Sequence, residues 1–394
     1  MKRFGVILLL LLILVPAVSA TELPRWGPYI TAVDEDAVTI HYCLYDNASG
    51  AVELISGEKT LLFSSDPSGF HHILIEDLSP DTEYTYRILV NGSWSESYSF
   101  RTFGAENYTF VVSGDTRSEP PFTQIERHGV VASAILKEDP LFVVHLGDFS
   151  GEANDPKEWD QFFSAGRDLY ANTIIVPVQG NHDYSDLYTE IFGMPDWYAF
   201  SAGSLRFLVL NTNGWIQTRF TDQTAWLSSE TAAKGTKIAF FHHPFYTTDQ
   251  KRTGLTTDQI PVWQEIFKTG DIAATYSAHM HAYERYVSGG VSYVTNGAGG
   301  APLYSAVTEP ADEMVASIYH TLGYVRVDVS GSEFTSTFYK VAEASEDNSA
   351  LTKTFPEGTV GDSFSTADPV SSHLGPSALL GLLCAAVFFI RRNP

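Results

Sequence analysis

The chain has 394 residues, 44% of them apolar and 18% charged, with a net charge of −23. That length accommodates two domains with separate cores. The acidic balance argues against a nucleic-acid partner, because a polyanion is bound by a concentrated basic face. Two cysteines, Cys43 and Cys384, provide no disulfide framework.

Residues 1–20, "MKRFGVILLLLLILVPAVSA", join Lys2 and Arg3 to an apolar run and then to small residues. This is the pattern of a secretory signal cleaved after Ala20. From 23 to 105 the sequence reads as strands. Val38, Ile40, Tyr42 and Leu44 alternate along one face, as do Tyr84, Tyr86, Ile88 and Val90. The clusters "DNASG" and "SSDPSG" read as turns between strands. His41, His71 and His72 read as strand residues and not as ligands. The triplets at Asn47, Asn91 and Asn107 fit the glycosylation acceptor pattern.

Between 106 and 343 the period changes, with short apolar strands alternating with amphipathic segments. One of these, 122–139, places Ile125, Val130, Val131 and Ile135 at helical spacing. Such alternation indicates a layered α/β domain. Ser, Thr, Asp, Glu and Pro dominate from 344 to 375, which reads as a flexible stalk. Residues 376–394 form an apolar run closed by Arg391 and Arg392, a hydrophobic anchor or sorting tail.

Five apolar runs of the second domain each end in a potential metal ligand. They lead to Asp115, to Asp148, to Asn181-His182-Asp183, to His242-His243, and to His279-Met280-His281. With twelve histidines in the chain, His-x-His arises by chance about 0.4 times, so that motif alone decides little. Sites in α/β sheets form beyond the carboxyl ends of strands, where five such ends can meet. Carboxylate, amide and imidazole together, with no thiolate, suit ions such as Fe, Mn or Zn.

In this order the motifs resemble those of the calcineurin-like metallophosphoesterases. "HAYER", "NGAGG" and the preceding strands resemble the purple acid phosphatase branch, and "LSPDTEYTYRILVNG" is similar to the corner of a fibronectin type III domain. The resemblance implies a four-layer αββα sandwich behind an all-β fibronectin type III-like sandwich. It also implies two divalent or trivalent metal ions. Asp148 would bridge them, Asp115 and His281 would hold the first, and Asn181, His242 and His279 the second. A bound water whose pKa falls from roughly 15.7 to about 7 would attack phosphorus in line, with His182 protonating the leaving oxygen.

Two positions depart from the family pattern. Arg117 stands where many members have a histidine ligand, and Gly151 where the purple enzymes have a tyrosine. Neither can coordinate a metal. Arg117 is instead a candidate contact for a phosphate oxygen, together with Asn181, while His243 is either a substrate contact or structural. The implied activity is hydrolysis of a small phosphate ester outside the cell, most simply a monoester. A phosphodiesterase, or a surface binding module that kept the fold without turnover, remains the alternative. The C-terminal run would attach the protein to a membrane if it is retained.

Overall fold

A computed structural model describes residues 22–57 and 59–367. The signal-like segment 1–20 and the apolar tail 376–394 lie outside the described residues. Among the described residues, no helix is long and apolar enough to cross a membrane.

The N-terminal part is all strand up to Arg101. Its long strand Val38–Ser56 serves two layers. Residues 38–43 pair with Trp26–Thr31 and with the end of Lys59–Ile75, whereas residues 50–56 pair with the start of that strand and with Glu83–Val90. Irregular register between Cys43 and Gly50 allows the change of layer. The expected turns at 46–50 and 64–69 are therefore bulged portions of continuous strands. The alternation is as expected, because Val38, Ile40, Tyr42, Leu44, Tyr84, Tyr86, Ile88 and Val90 are all buried.

This part is continuous with the second. Ile30 pairs in parallel with Ile174, so one thirteen-stranded sheet runs through both. Tyr29 donates to the Ile191 carbonyl at 2.6 Å and Tyr86 to the Ala171 carbonyl at 2.7 Å. Arg25 and Trp26 both reach the Asp160 carboxylate.

The second part stacks that sheet against a seven-stranded one. Phe110, Phe142, Phe207 and Phe240 fill the space between the sheets. Helices Gln124–Leu136 and Pro156–Asn172 cover the outer face of the first sheet, packing Val131, Ile135 and Phe162 on Val111, Val143 and Ile175. Helices Phe220–Glu230 and Gln259–Thr269 cover the second with Leu227, Trp263 and Phe267. The fold is the four-layer αββα sandwich. Asn107–Ser113, Phe142–His145 and Ile174–Pro177 are parallel neighbours in the first sheet. Lys237–Phe240 and Ile272–Ser277 are parallel neighbours in the second.

Two expectations need correction. Residues 344–375 are not a stalk throughout, because Leu351–Thr354 and Val360–Ser365 pair with Glu333–Ala344. Their polar residues are those of an edge with a solvated face. Asp362 gives the edge a buried anchor, accepting from Tyr283 Oη at 2.7 Å and Arg285 Nε at 2.6 Å. Second, Ile125 points to solvent, being 51% exposed. The helix is entered through a capping box between Thr123 and Glu126, and it buries Gln124 and His128 beside Val131 and Ile135.

Candidate metal centre

The loops after the five strands meet at one edge of the sandwich. Asp115, Asp148 and His279 all have positive φ, at 55°, 56° and 64°. Non-glycine residues adopt that region at a cost that the surrounding structure must offset. Glycines make the crowding possible. A Cβ on Gly180 would fall 2.3 Å from Asp148 Oδ1, and one on Gly297 would fall 2.4 Å from Asp115 Oδ2.

Two clusters of ligand atoms result. Asp115, Asp148 and His281 form one, and His242, His243 and His279 the other, each with its atoms within 4.8 Å of one another. Asn181 joins the second, its Oδ1 lying 3.0 Å from His242 Nε2. Asp148 belongs to both, since its Oδ1 is 3.4 Å from His242 Nε2. None of these side chains comes from residues before 115.

The donor chemistry calls for cations. His242 Nδ1 donates to the Leu146 carbonyl at 2.8 Å, and His281 Nδ1 donates to the Pro302 carbonyl at 2.6 Å. Those bonds fix the tautomers and turn the Nε2 lone pairs inward. His242 Nε2 then faces Asn181 Oδ1, Asp148 Oδ1 and, at 3.2 Å, His279 Nδ1. His281 Nε2 faces Asp115 Oδ1 at 3.5 Å, and that oxygen is buried with no hydrogen bond. The backbone N–H groups of His182 and His279 donate to Asp148 Oδ1 at 3.0 Å and Asp115 Oδ2 at 2.6 Å, but the other converging acceptor atoms suit metal ions, and the residues fit two.

The electrostatics match. Burial works to raise the Asp115 carboxyl, yet His281 and then His242 hold it below its ordinary range. Burial, then the neighbouring His242, keeps His279 and His243 far below the usual imidazole range, hence neutral and able to coordinate. His182 lies at the rim with its side chain 35% exposed. Its Nδ1 is 2.7 Å from the Gly151 carbonyl, and its Nε2 is 3.9 Å from Asp148 Oδ2. His243 is buried, bonded to Thr212 Oγ1 at 3.1 Å, with its ring centroid 4.4 Å from that of His279. Arg117 is mostly buried and pairs with Glu119 at 2.9 Å, while its Nε has no partner among the described residues.

Two groups escaped the sequence reading. Asp183, visible there only as the end of the Asn-His-Asp triplet, accepts from the backbone N–H of Asp148 (2.8 Å), Phe149 (3.1 Å) and Gly180 (2.7 Å). It ties two ligand loops together. Tyr304, far from any motif, stacks on His281 with centroids 4.1 Å apart and planes 10° apart.

Comparison with known proteins points to a class, the metallophosphoesterases. Residues 103–283 match the model of the calcineurin-like phosphoesterases, and residues 29–102 match that of the purple acid phosphatase N-terminal domain. The chain is 22% identical over 336 residues to purple acid phosphatase 21 of Arabidopsis thaliana, covering 75% of this chain and 71% of that one. It is 24% identical over 334 residues to the same plant's Fe(3+)-Zn(2+) purple acid phosphatase 12, covering 75% and 67%. The fold superimposes on a purple acid phosphatase from yellow lupin (Lupinus luteus) seeds with a TM-score of 0.68 at 16% identity, covering 87% and 75%. The chain thus joins a calcineurin-like phosphoesterase domain, residues 103–283, to a purple acid phosphatase N-terminal domain, residues 29–102. These similarities support a phosphatase, and the residues present can hold two metal ions.

Proposed function

We propose that the protein hydrolyses phosphate monoesters outside the cell and that Asp148 bridges its two metals. The observation that carries this reading is the position of Asp148, which lies in the first cluster with its Oδ1 3.4 Å from His242 Nε2 of the second. Asp115 and His281 would complete the first metal's set, and Asn181, His242 and His279 the second's. Bound there, the ions would supply Lewis-acid polarisation of phosphate oxygens and a water ionised near neutrality.

The chain's own groups do the rest. His182 Nδ1 is occupied by the Gly151 carbonyl, so Nε2 is the atom free to give a proton to the departing oxygen. Arg117 carries a permanent charge with one unpartnered N–H for a phosphate oxygen. Asn181, already in the second cluster, can offer its amide N–H to the same group. His243, bonded to Thr212 and packed on His279, supports the second cluster as a brace. The signal-like start and the hydrophobic, basic-ended tail of the sequence support an extracytoplasmic, surface-attached location. The test is hydrolysis of an aryl phosphate monoester against a bis-aryl diester, with fractionation of the producing cells. A strong monoester preference in a surface fraction is expected; exclusive diester cleavage or a cytosolic protein would refute the proposal.

A further inference from the structure

The loop that follows His242 and His243 returns to the site. A Cβ on Gly254 would fall 2.5 Å from the His243 ring and 2.4 Å from the Thr212 carbonyl, so the backbone there rests directly on the second cluster. Two residues earlier, Arg252 projects from the short helix Gln250–Arg252. Its guanidinium carbon lies 4.3 Å from the centroid of the Tyr304 ring. His281 takes up one face of that ring at 4.1 Å, so Arg252 must occupy the other. His281, Tyr304 and Arg252 thus form a three-layer stack that begins at a metal ligand and ends in a permanent cation.

The stack is held at both ends. Tyr304 N–H donates to the His281 carbonyl at 2.9 Å, and Asp249 steadies Arg252 with a contact of 3.4 Å. That contact leaves most of the five guanidinium N–H groups free. Arg117 enters from the first loop, its backbone N–H donating to the Asp148 carbonyl at 3.1 Å. Both arginines therefore come from segments that border the cluster of Asp115, Asp148 and His281.

We propose that Arg252, aligned by Tyr304, joins Arg117 as a two-guanidinium clamp on the non-bridging oxygens of a phosphate dianion, selecting monoesters over diesters. This rests on the phosphoesterase reading above and deepens it. A terminal phosphate offers three non-bridging oxygens and two negative charges, enough for two metals and two guanidinium groups. A diester has one charge, and its second organic group would sit where an arginine expects an oxygen. Planar, forked N–H groups suit phosphate, and stacking on an aromatic face fixes their direction. Arg252 would touch substrate, whereas Tyr304 is a positioning residue.

The experiment compares wild type with Arg252→Ala, Arg252→Lys, Tyr304→Ala and Tyr304→Phe. It measures metal content, calorimetric affinity for inorganic phosphate, and kcat/KM for an aryl monoester and a bis-aryl diester. Arg252→Ala should keep its metals, while phosphate affinity and monoester kcat/KM fall about 10–100-fold and diester kcat/KM falls less than about threefold. Arg252→Lys should recover only part of the loss, because an ammonium cannot stack or fork. Tyr304→Ala should resemble Arg252→Ala, whereas Tyr304→Phe, which retains the ring, should stay near wild type. Phosphate affinity and ester selectivity within about threefold of wild type in Arg252→Ala would overturn the clamp, as would loss of metal in that variant. If the wild type cleaves no phosphate ester, the functional reading fails, and Arg252-dependent phosphate binding still decides the clamp.

Discussion

Replacing Asp183 by Asn separates two effects that a simple loss-of-contact argument would merge. The carboxylate serves three buried N–H groups, two through Oδ2 and one through Oδ1. An amide offers one oxygen, so at least one donor faces an NH₂ group, at a cost of about 1–3 kcal/mol. Burial and then the nearby Asp148 charge raise the Asp183 carboxyl from 3.8 to about 7. At about 1.4 kcal/mol per pH unit, the ionised form therefore carries a penalty on the order of 4 kcal/mol in the metal-free protein. The folded-state value lies above the unfolded one, so the unfolded state releases this proton first. Stability from this group is full below about pH 4 and is lost as pH rises to about 7.

The two effects oppose each other in the metal-free protein above pH 7, where Asp183→Asn should be about 1–3 kcal/mol more stable than wild type by chemical denaturation. It should also lack wild type's loss of stability between about pH 4 and 7. Metal loading changes the balance, since the added positive charge removes the penalty on the carboxylate while the unpaired donor remains. Metal affinity at pH 7.5, read by calorimetry, should then fall about 10–100-fold, as for other groups that orient metal ligands. Metal affinity within about threefold of wild type would refute the reasoning. So would a metal-free variant less stable than wild type above pH 7.

His182→Ala should retain both metals and lose about 10²–10⁴-fold in kcat for esters of weakly acidic alcohols, with a much smaller loss for strongly acidic aryl alcohols. Equal losses across a leaving-group series would rule out proton donation from Nε2. The two parts of the chain should unfold in a single calorimetric transition, because the first sheet and its core run through both. Removing residues before Phe103 should lower the melting temperature of the remainder by stripping Trp26, Tyr29 and Tyr86 from their partners. Two well-separated transitions in the intact chain would contradict that coupling.

The candidate site was legible in the sequence because each candidate ligand follows an apolar strand, and strand ends converge by topology. Asp115, Asp148, Asn181, His242, His279 and His281 are all found together. Arg252 and Tyr304 left no such trace, because they come from loops whose return to the site depends on packing against His243 and His281. Asp183 stood inside a quoted motif, but its bonds are to backbone N–H groups, which leave no mark on side-chain spacing. The stretch after Ala344 was misread for a related reason. Its polar composition is that of a stalk, and only the long-range anchoring of Asp362 by Tyr283 and Arg285 distinguishes an edge strand from one. Ile125 misled because a single apolar residue at the right helical spacing outweighed Gln124 and His128, polar residues that the helix buries.

The central claim is that one carboxylate joins two metals in a working phosphatase site. Elemental analysis of the purified protein and of Asp148→Asn, with monoester hydrolysis before and after chelation and metal return, tests it most directly. Wild type should hold two metal ions per chain and lose its activity with them, regaining it when they return. Asp148→Asn should hold at most one and hydrolyse almost nothing. Two metals and substantial activity in Asp148→Asn, or full activity in the chelated wild type, would contradict the account.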